Sequence, residues 1–143
     1  MALRIVLADD HAAYRAYLRS LLEAQADIVV AAEVADGASA VRAALDHKPD
    51  IVLLDLVMPG LDGIEATRQI VSHRTSTKVL ALSLHSDAEL VEAMSVAGAS
   101  GYVLKTDPLP DLLRALREVS AGRPYFSTSL GGTDERSATS RAP

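Results

Sequence analysis

Five short apolar runs divide the chain: Ile5-Val6-Leu7, Ile28-Val29-Val30, Ile51-Val52-Leu53-Leu54, Val79-Leu80-Ala81-Leu82 and Tyr102-Val103-Leu104. They start 23, 23, 28 and 23 residues apart. None alternates with polar residues, and continuous β-branched and Leu runs suit strands buried on both faces, as in a parallel sheet. Parallel neighbours need a crossover of about a dozen residues or more, and each gap has room for a helix.

The gaps carry helical spacing. Tyr14, Leu18, Leu21 and Leu22 form one stripe, and Val41, Ala44 and Leu45 a shorter one. Ile64, Thr67 and Val71 follow, then Leu90, Met94 and Ala97. Leu109, Leu112, Leu113, Leu116 and Val119 make the clearest apolar face. Asp107-Pro108 predicts the cap and first turn of that helix, and Gly122 its stop. Asp36-Gly37, Pro59-Gly60 and Asp62-Gly63 mark loops. The pattern predicts an α/β fold, (βα)5, with a doubly wound five-stranded parallel sheet and helices on both faces.

The last stretch differs. Ten of the seventeen residues from Ser127 to Pro143 are Ser, Thr, Gly or Pro, and Leu130 is the only large apolar one. Such a segment is expected to bury nothing and to act as a linker or disordered tail. The expected division is a domain over 1–122 and a linker or tail over 123–143.

Composition narrows the function. A chain of 143 residues buries enough surface to fold without disulfides or structural metal, and it has no Cys. No apolar run approaches a membrane span, and Asp9-Asp10 ends the first run too early for a secretory signal. A soluble, cytoplasmic protein is expected. The net charge of −5 argues against direct binding of nucleic acid by these residues.

In an open α/β sheet, ligands bind beyond the carboxyl ends of the strands. There the first run meets Asp9 and Asp10, the third Asp55, the fourth Ser83 and the fifth Lys105. Singly, each has an ordinary structural explanation: Asp10 as a helix cap, Asp55 as a strand end, Ser83 as a turn residue, Lys105 as a solvated charge. Together, three clustered carboxylates repel one another unless a cation shares them. Hard oxygen donors point to Mg²⁺ awaiting a phosphate oxygen. The four His residues show no metal-ligand spacing, so zinc is not expected.

Four segments carry a family resemblance: Ile5 to His11 with Asp9-Asp10-His11, Ile51 to Gly63 with Asp55 and Met58-Pro59-Gly60, Val79 to Ser83, and Gly98 to Lys105. Over about residues 3–122 the chain resembles the receiver domain of two-component response regulators, in particular the subfamily with a LuxR-type helix-turn-helix output. The resemblance implies a flavodoxin-like fold of strand order 2-1-3-4-5. It implies Asp55 as phosphoacceptor for a histidine kinase, with Mg²⁺ held by Asp10, Asp55 and the main-chain carbonyl of Val57, and by Asp9 through water. Lys105 and Ser83 would bind phosphoryl oxygens, and Ser83 and Tyr102 would form the switch. Val57 and His85 are similar to positions that tune hydrolysis. The domain would then be a phosphoacceptor promoting its own phosphorylation and dephosphorylation, not a turnover enzyme. Implied partners are the kinase, a second receiver on activation, and DNA only through an output domain beyond these residues; no membrane is implied. Two departures stand out: Thr106, where many receivers carry proline, and an apolar Val57, where the family often has a polar side chain.

Two other readings compete. A stand-alone receiver would act in a phosphorelay or in protein–protein signalling. An aspartate-nucleophile, Mg²⁺-dependent phosphohydrolase uses the same residue types, but it needs an acid two residues after its nucleophile, where Val57 stands.

Overall fold

The apolar runs become strands because each has two faces to bury. The structure, a computed structural model, describes residues 2–73, 76–127 and 130. Its elements are β1 (Leu3–Ala8), α1 (Ala12–Glu23), β2 (Ile28–Val34), α2 (Gly37–His47), β3 (Ile51–Leu54) and α3 (Gly63–His73). Then follow β4 (Lys78–Ser83), α4 (Ala88–Ala97), β5 (Gly101–Leu104), α5 (Leu109–Ser120) and β6 (Tyr125–Phe126). The sheet is parallel throughout, in the order β2-β1-β3-β4-β5-β6. This is the flavodoxin-like order expected, with one strand added.

Alternate residues of each strand serve opposite cores. Val6, Ala8, Val52, Leu54, Val79, Ala81 and Tyr102 pack with Ala40 and Ala44 of α2, Ile70 of α3, and Val91 and Met94 of α4. Ile5, Leu7, Ile51, Leu53, Leu80, Leu82 and Val103 pack with Leu18 and Leu22 of α1 and Leu112, Leu116 and Val119 of α5. Both parities are buried in β1, β3, β4 and β5, so these strands read as unbroken apolar runs. β2 lies at the sheet edge, and Val29, expected to be buried, is 42% exposed there.

The Asp-Gly pairs are helix starts as well as turns. Asp36 is the N-cap of α2 and accepts from the Ser39 N–H at 2.7 Å. Asp62 accepts from the Glu65 N–H at 2.8 Å as α3 begins. At α5 the expected cap moves one residue: Pro108 occupies the N-cap and Pro110 the first turn. The Asp107 carboxylate instead accepts from the Leu104 N–H at 3.0 Å, tying the loop back to β5. Gly122, at φ +89°, ends α5 as expected.

The sheet departs from the five strands expected because Tyr125-Phe126 is too short to register as an apolar run. The Tyr125 N–H donates to the Ser100 carbonyl at 3.1 Å, and the Ser127 N–H to the Tyr102 carbonyl at 2.9 Å. Gly101 permits this approach, since a Cβ there would lie 2.4 Å from the Tyr125 carbonyl oxygen. Leu130, expected to bury nothing, is 1% exposed and belongs to the core that holds Tyr102 and Met94. Tyr125 to Ser127 and Leu130 therefore pack on the sheet and its core, after an exposed Arg123-Pro124; the rest of the expected tail lies outside the described residues.

Leu130→Ala should cost about 2–3 kcal/mol of stability, in line with other Leu-to-Ala changes in packed cores. Truncation after Phe126 should cost at least as much. Urea denaturation checks both, and an unchanged midpoint would show that Leu130 contributes nothing to the core.

Candidate functional site

Strand order reverses at β1, which pairs with β2 on one side and β3 on the other. The hydrogen-bond ladder continues one residue past the strand ends and fixes the groups that follow. The Asp9 N–H donates to the Val34 carbonyl at 3.0 Å, that of Asp55 to Ala8 at 2.8 Å, and that of Lys105 to Ser83 at 2.8 Å. Two carboxylates and one ammonium thus start from rigid backbone on one edge of the sheet.

Asp9, Asp10 and Asp55 each present a carboxylate oxygen, and these three atoms lie within 4.8 Å of one another. Asp9 and Asp55 are buried and Asp10 is exposed. The Lys105 ammonium donates to Asp9 Oδ2 at 2.8 Å and to Asp55 Oδ2 at 3.2 Å. Burial pushes the Asp55 carboxyl above its ordinary pKa; Asp9 adds to the rise, while the Val57 N–H and Lys105 oppose it. Burial works against the charge on Lys105, but its hydrogen bond to Asp9 and the nearby Asp55 outweigh that and raise its pKa. Three carboxylates against one ammonium leave a negative, oxygen-only cluster, a donor set that fits a hard divalent cation.

A cavity of about 440 Å³ opens beside this cluster, lined by Asp10, Asp55 and Lys105 with His11, Tyr14, Val57, Leu84 and His85. Part of its rim is apolar: Val57 is 60% exposed and Leu84 68%. The Val57 N–H donates to Asp55 Oδ1 at 3.2 Å, holding the carboxylate oxygen that Lys105 does not bind.

Ser83 and Tyr102 meet at His85. Ser83, fully buried, accepts the His85 N–H at 3.0 Å, and the Tyr102 hydroxyl donates to the His85 carbonyl at 2.6 Å. Tyr102 is itself fully buried, its ring already within the core on the α4 side. Burial raises its phenol pKa, and the Ser83 hydroxyl opposes that rise.

The site therefore brings Asp9, Asp10, Asp55 and Lys105 together, with Val57 and His85 on the cavity and Ser83 and Tyr102 joined through His85. Asp10 is not the helix cap; His11 is, its Nδ1 accepting the Tyr14 N–H at 3.2 Å. Two residues of α1 escaped the sequence reading. The Tyr14 ring lies 4.7 Å from the Lys105 ammonium, though its spacing reads only as part of a core stripe. Arg15 donates to the Asp9 carbonyl at 2.5 Å and to Glu33 at 2.9 Å, tying the acidic loop to β2. Their one sequence signal is position, a single helical turn beyond Asp9-Asp10.

Comparison with known proteins agrees with this geometry. Residues 5–117 match the response regulator receiver domain family. The transcriptional regulatory protein LiaR of Bacillus subtilis is 41% identical over 130 residues, covering 91% of this chain and 62% of LiaR. The oxygen regulatory protein NreC of Staphylococcus epidermidis is 40% identical over 129 residues, 90% of this chain and 59% of NreC. The chain thus spans about three-fifths of the length of these relatives. Among solved structures, a LuxR-family two-component response regulator from Aurantimonas sp. superposes with a TM-score of 0.88 at 34% identity, covering 100% of both chains. The signal receiver domain of the putative response regulator NarL from Mycobacterium tuberculosis gives 0.82 at 32% identity, covering 85% of this chain and 98% of that one. A match over most of the sequence, joined to a lysine shared between two of three clustered aspartates, makes this chain a member of the response regulator receiver domain family.

Proposed function

We propose that the chain is a phosphorylation-controlled receiver, in which Asp55 takes a phosphoryl group from the phosphohistidine of a histidine kinase. The observation that carries this reading is the Lys105 ammonium bridging Asp9 and Asp55 inside a three-carboxylate cluster. An Asp55 oxygen forms the new P–O bond as the donor's P–N bond breaks; the electron pair leaves with the imidazole, which ends neutral because its other ring nitrogen carries a proton in the reacting phosphohistidine. Mg²⁺ would be held by Asp10, Asp55 and the Val57 main-chain carbonyl, with Asp9 acting through water. When bound it neutralises charge on the phosphoryl oxygens. Lys105 offsets the charge on another oxygen, and the Ser83 hydroxyl donates to a third. Positioning and electrostatics then supply the catalysis.

Val57 stands where a phosphohydrolase of the aspartate-nucleophile class would need a proton donor. A regulatory phosphoacceptor suits the site better than a turnover enzyme. Val57 and His85, both on the cavity, would set the phosphoryl lifetime. LiaR is a transcriptional regulatory protein, and RcsB, 25% identical to this chain, has been solved as dimers bound to DNA. These relatives support a DNA-binding output beyond the described residues and pairing with a second receiver on activation. A stand-alone receiver remains the alternative within the family. Among the described residues no helix is long and apolar enough to cross a membrane; action in the cytoplasm belongs to the receiver reading.

With Mg²⁺ and acetyl phosphate, the chain should gain one acid-stable, alkali-labile phosphoryl group, measured by intact mass. Asp55→Asn and chelator should each abolish it; equal labelling of wild type and variant would overturn the assignment.

Charge crowding predicts a second result. In chelator, Asp55→Asn should be more stable than wild type by about 1 kcal/mol, because one buried like charge is removed while Lys105 keeps Asp9. Millimolar Mg²⁺ should stabilise wild type more than the variant and narrow the gap, read by urea denaturation.

Ser83→Ala should still accept phosphate but lose most of the conformational response. Amide NMR with and without beryllofluoride should show wild-type shifts around Tyr102 and residues 88–97 that are absent from the variant. Full shifts in Ser83→Ala would remove Ser83 from the switch.

A further inference from the structure

The Lys105 ammonium has three N–H groups, and its two carboxylate partners account for two of them. The remaining side is covered by Tyr14, whose ring centroid lies 4.7 Å from Nζ, inside the range of a cation–π contact. Tyr14 is not placed there by chance packing alone. It stands in the first turn of α1, its N–H capped by His11, and its ring is steadied by Tyr17, with centroids 6.2 Å apart and planes tilted by 45°. Partial burial raises the phenol pKa despite the nearby ammonium, so at neutral pH the ring stays a neutral phenol with its quadrupole intact.

We propose that Tyr14 is a positioning residue for phosphoryl transfer, holding the Lys105 ammonium at Asp55 through the face of its ring. A lysine side chain has much rotamer freedom, and freezing it before reaction removes that cost from the transition state. When Asp55 becomes an acyl phosphate, its hold on Lys105 passes to a phosphoryl oxygen. Asp9 and Tyr14 keep the ammonium in place during the exchange. Leucine at residue 14 would fill similar space without a quadrupole, and phenylalanine would keep the quadrupole without the hydroxyl. The inference deepens the receiver reading and rests on it.

The test measures the rate of phosphorylation by acetyl phosphate with saturating Mg²⁺ for Tyr14→Phe, Tyr14→Leu and wild type, each alone and combined with Lys105→Met. Tyr14→Phe should stay within about twofold of wild type, and Tyr14→Leu should be about fivefold slower, the worth of one partly buried cation–π contact. In the Lys105→Met background the Tyr14→Leu change should have no further effect, since the ring then has no cation to hold. A merely structural role would slow both backgrounds alike and overturn the proposal; so would Tyr14→Leu matching wild type, or Tyr14→Phe being as slow as Tyr14→Leu. A second readout does not depend on phosphorylation. The Lys105 Hε resonances should be shifted by the ring in wild type and Tyr14→Phe, and move to ordinary lysine positions in Tyr14→Leu. Failure of wild type to label would count against the receiver reading itself, whereas unmoved Lys105 resonances in Tyr14→Leu would count against Tyr14 alone.

Discussion

Everything at the carboxyl edge of this sheet depends on one ammonium shared between two buried carboxylates. Lys105 reaches Asp9 and Asp55 from the end of β5, while Asp10 adds a third negative group nearby. Such a cluster is costly for the fold, because buried like charges repel one another and the single lysine leaves a deficit of positive charge. That deficit suits a hard divalent cation, whose charge would offset what the single lysine leaves uncompensated. Val57 and Leu84 place exposed apolar surface at the cavity beside the exposed Asp10, His11 and His85.

The strain of concentrating charge is tolerated because the backbone beneath it is rigid. β1, β3, β4 and β5 are buried on both faces, and their ladder extends to the amides of Asp9, Asp55 and Lys105. α1 adds a second layer of control. Arg15 grips the Asp9 carbonyl and Glu33, and Arg19 joins the same carboxylate, so the loop carrying the acids is anchored to β2. Tyr14, next to Arg15 on the same helix, faces Lys105.

A second set of contacts runs the other way, from the site toward the chain that follows α5. Ser83 accepts the His85 N–H, the His85 carbonyl accepts the Tyr102 hydroxyl, and the Tyr102 carbonyl accepts the Ser127 N–H. The Ser127 carbonyl in turn accepts the Leu130 N–H, and the Leu130 side chain lies in the core beside Tyr102. Ser83, β5 and the segment that follows α5 therefore share one hydrogen-bonded track. A change in either Ser83 or Tyr102 acts on the same local packing.

Much of this was legible in the residues alone. Unbroken apolar runs at near-constant spacing determine a parallel sheet, since only strands covered on both faces need such runs. The placement of Asp9, Asp10, Asp55, Ser83 and Lys105 just after those runs follows from the same periodicity, because strand ends in this architecture share one edge. What the sequence left undecided was set by tertiary contacts. Leu130 reads as part of a polar tail, yet long-range burial gives it a place in the core that no local pattern encodes. β6 is too short to be seen until it pairs with β5. Tyr14 has the spacing of any core aromatic, and only the approach of α1 to the end of β5 turns its face toward a lysine 91 positions away in sequence. Periodicity is a local property and survives in the sequence; a contact between distant elements exists only once the chain has folded.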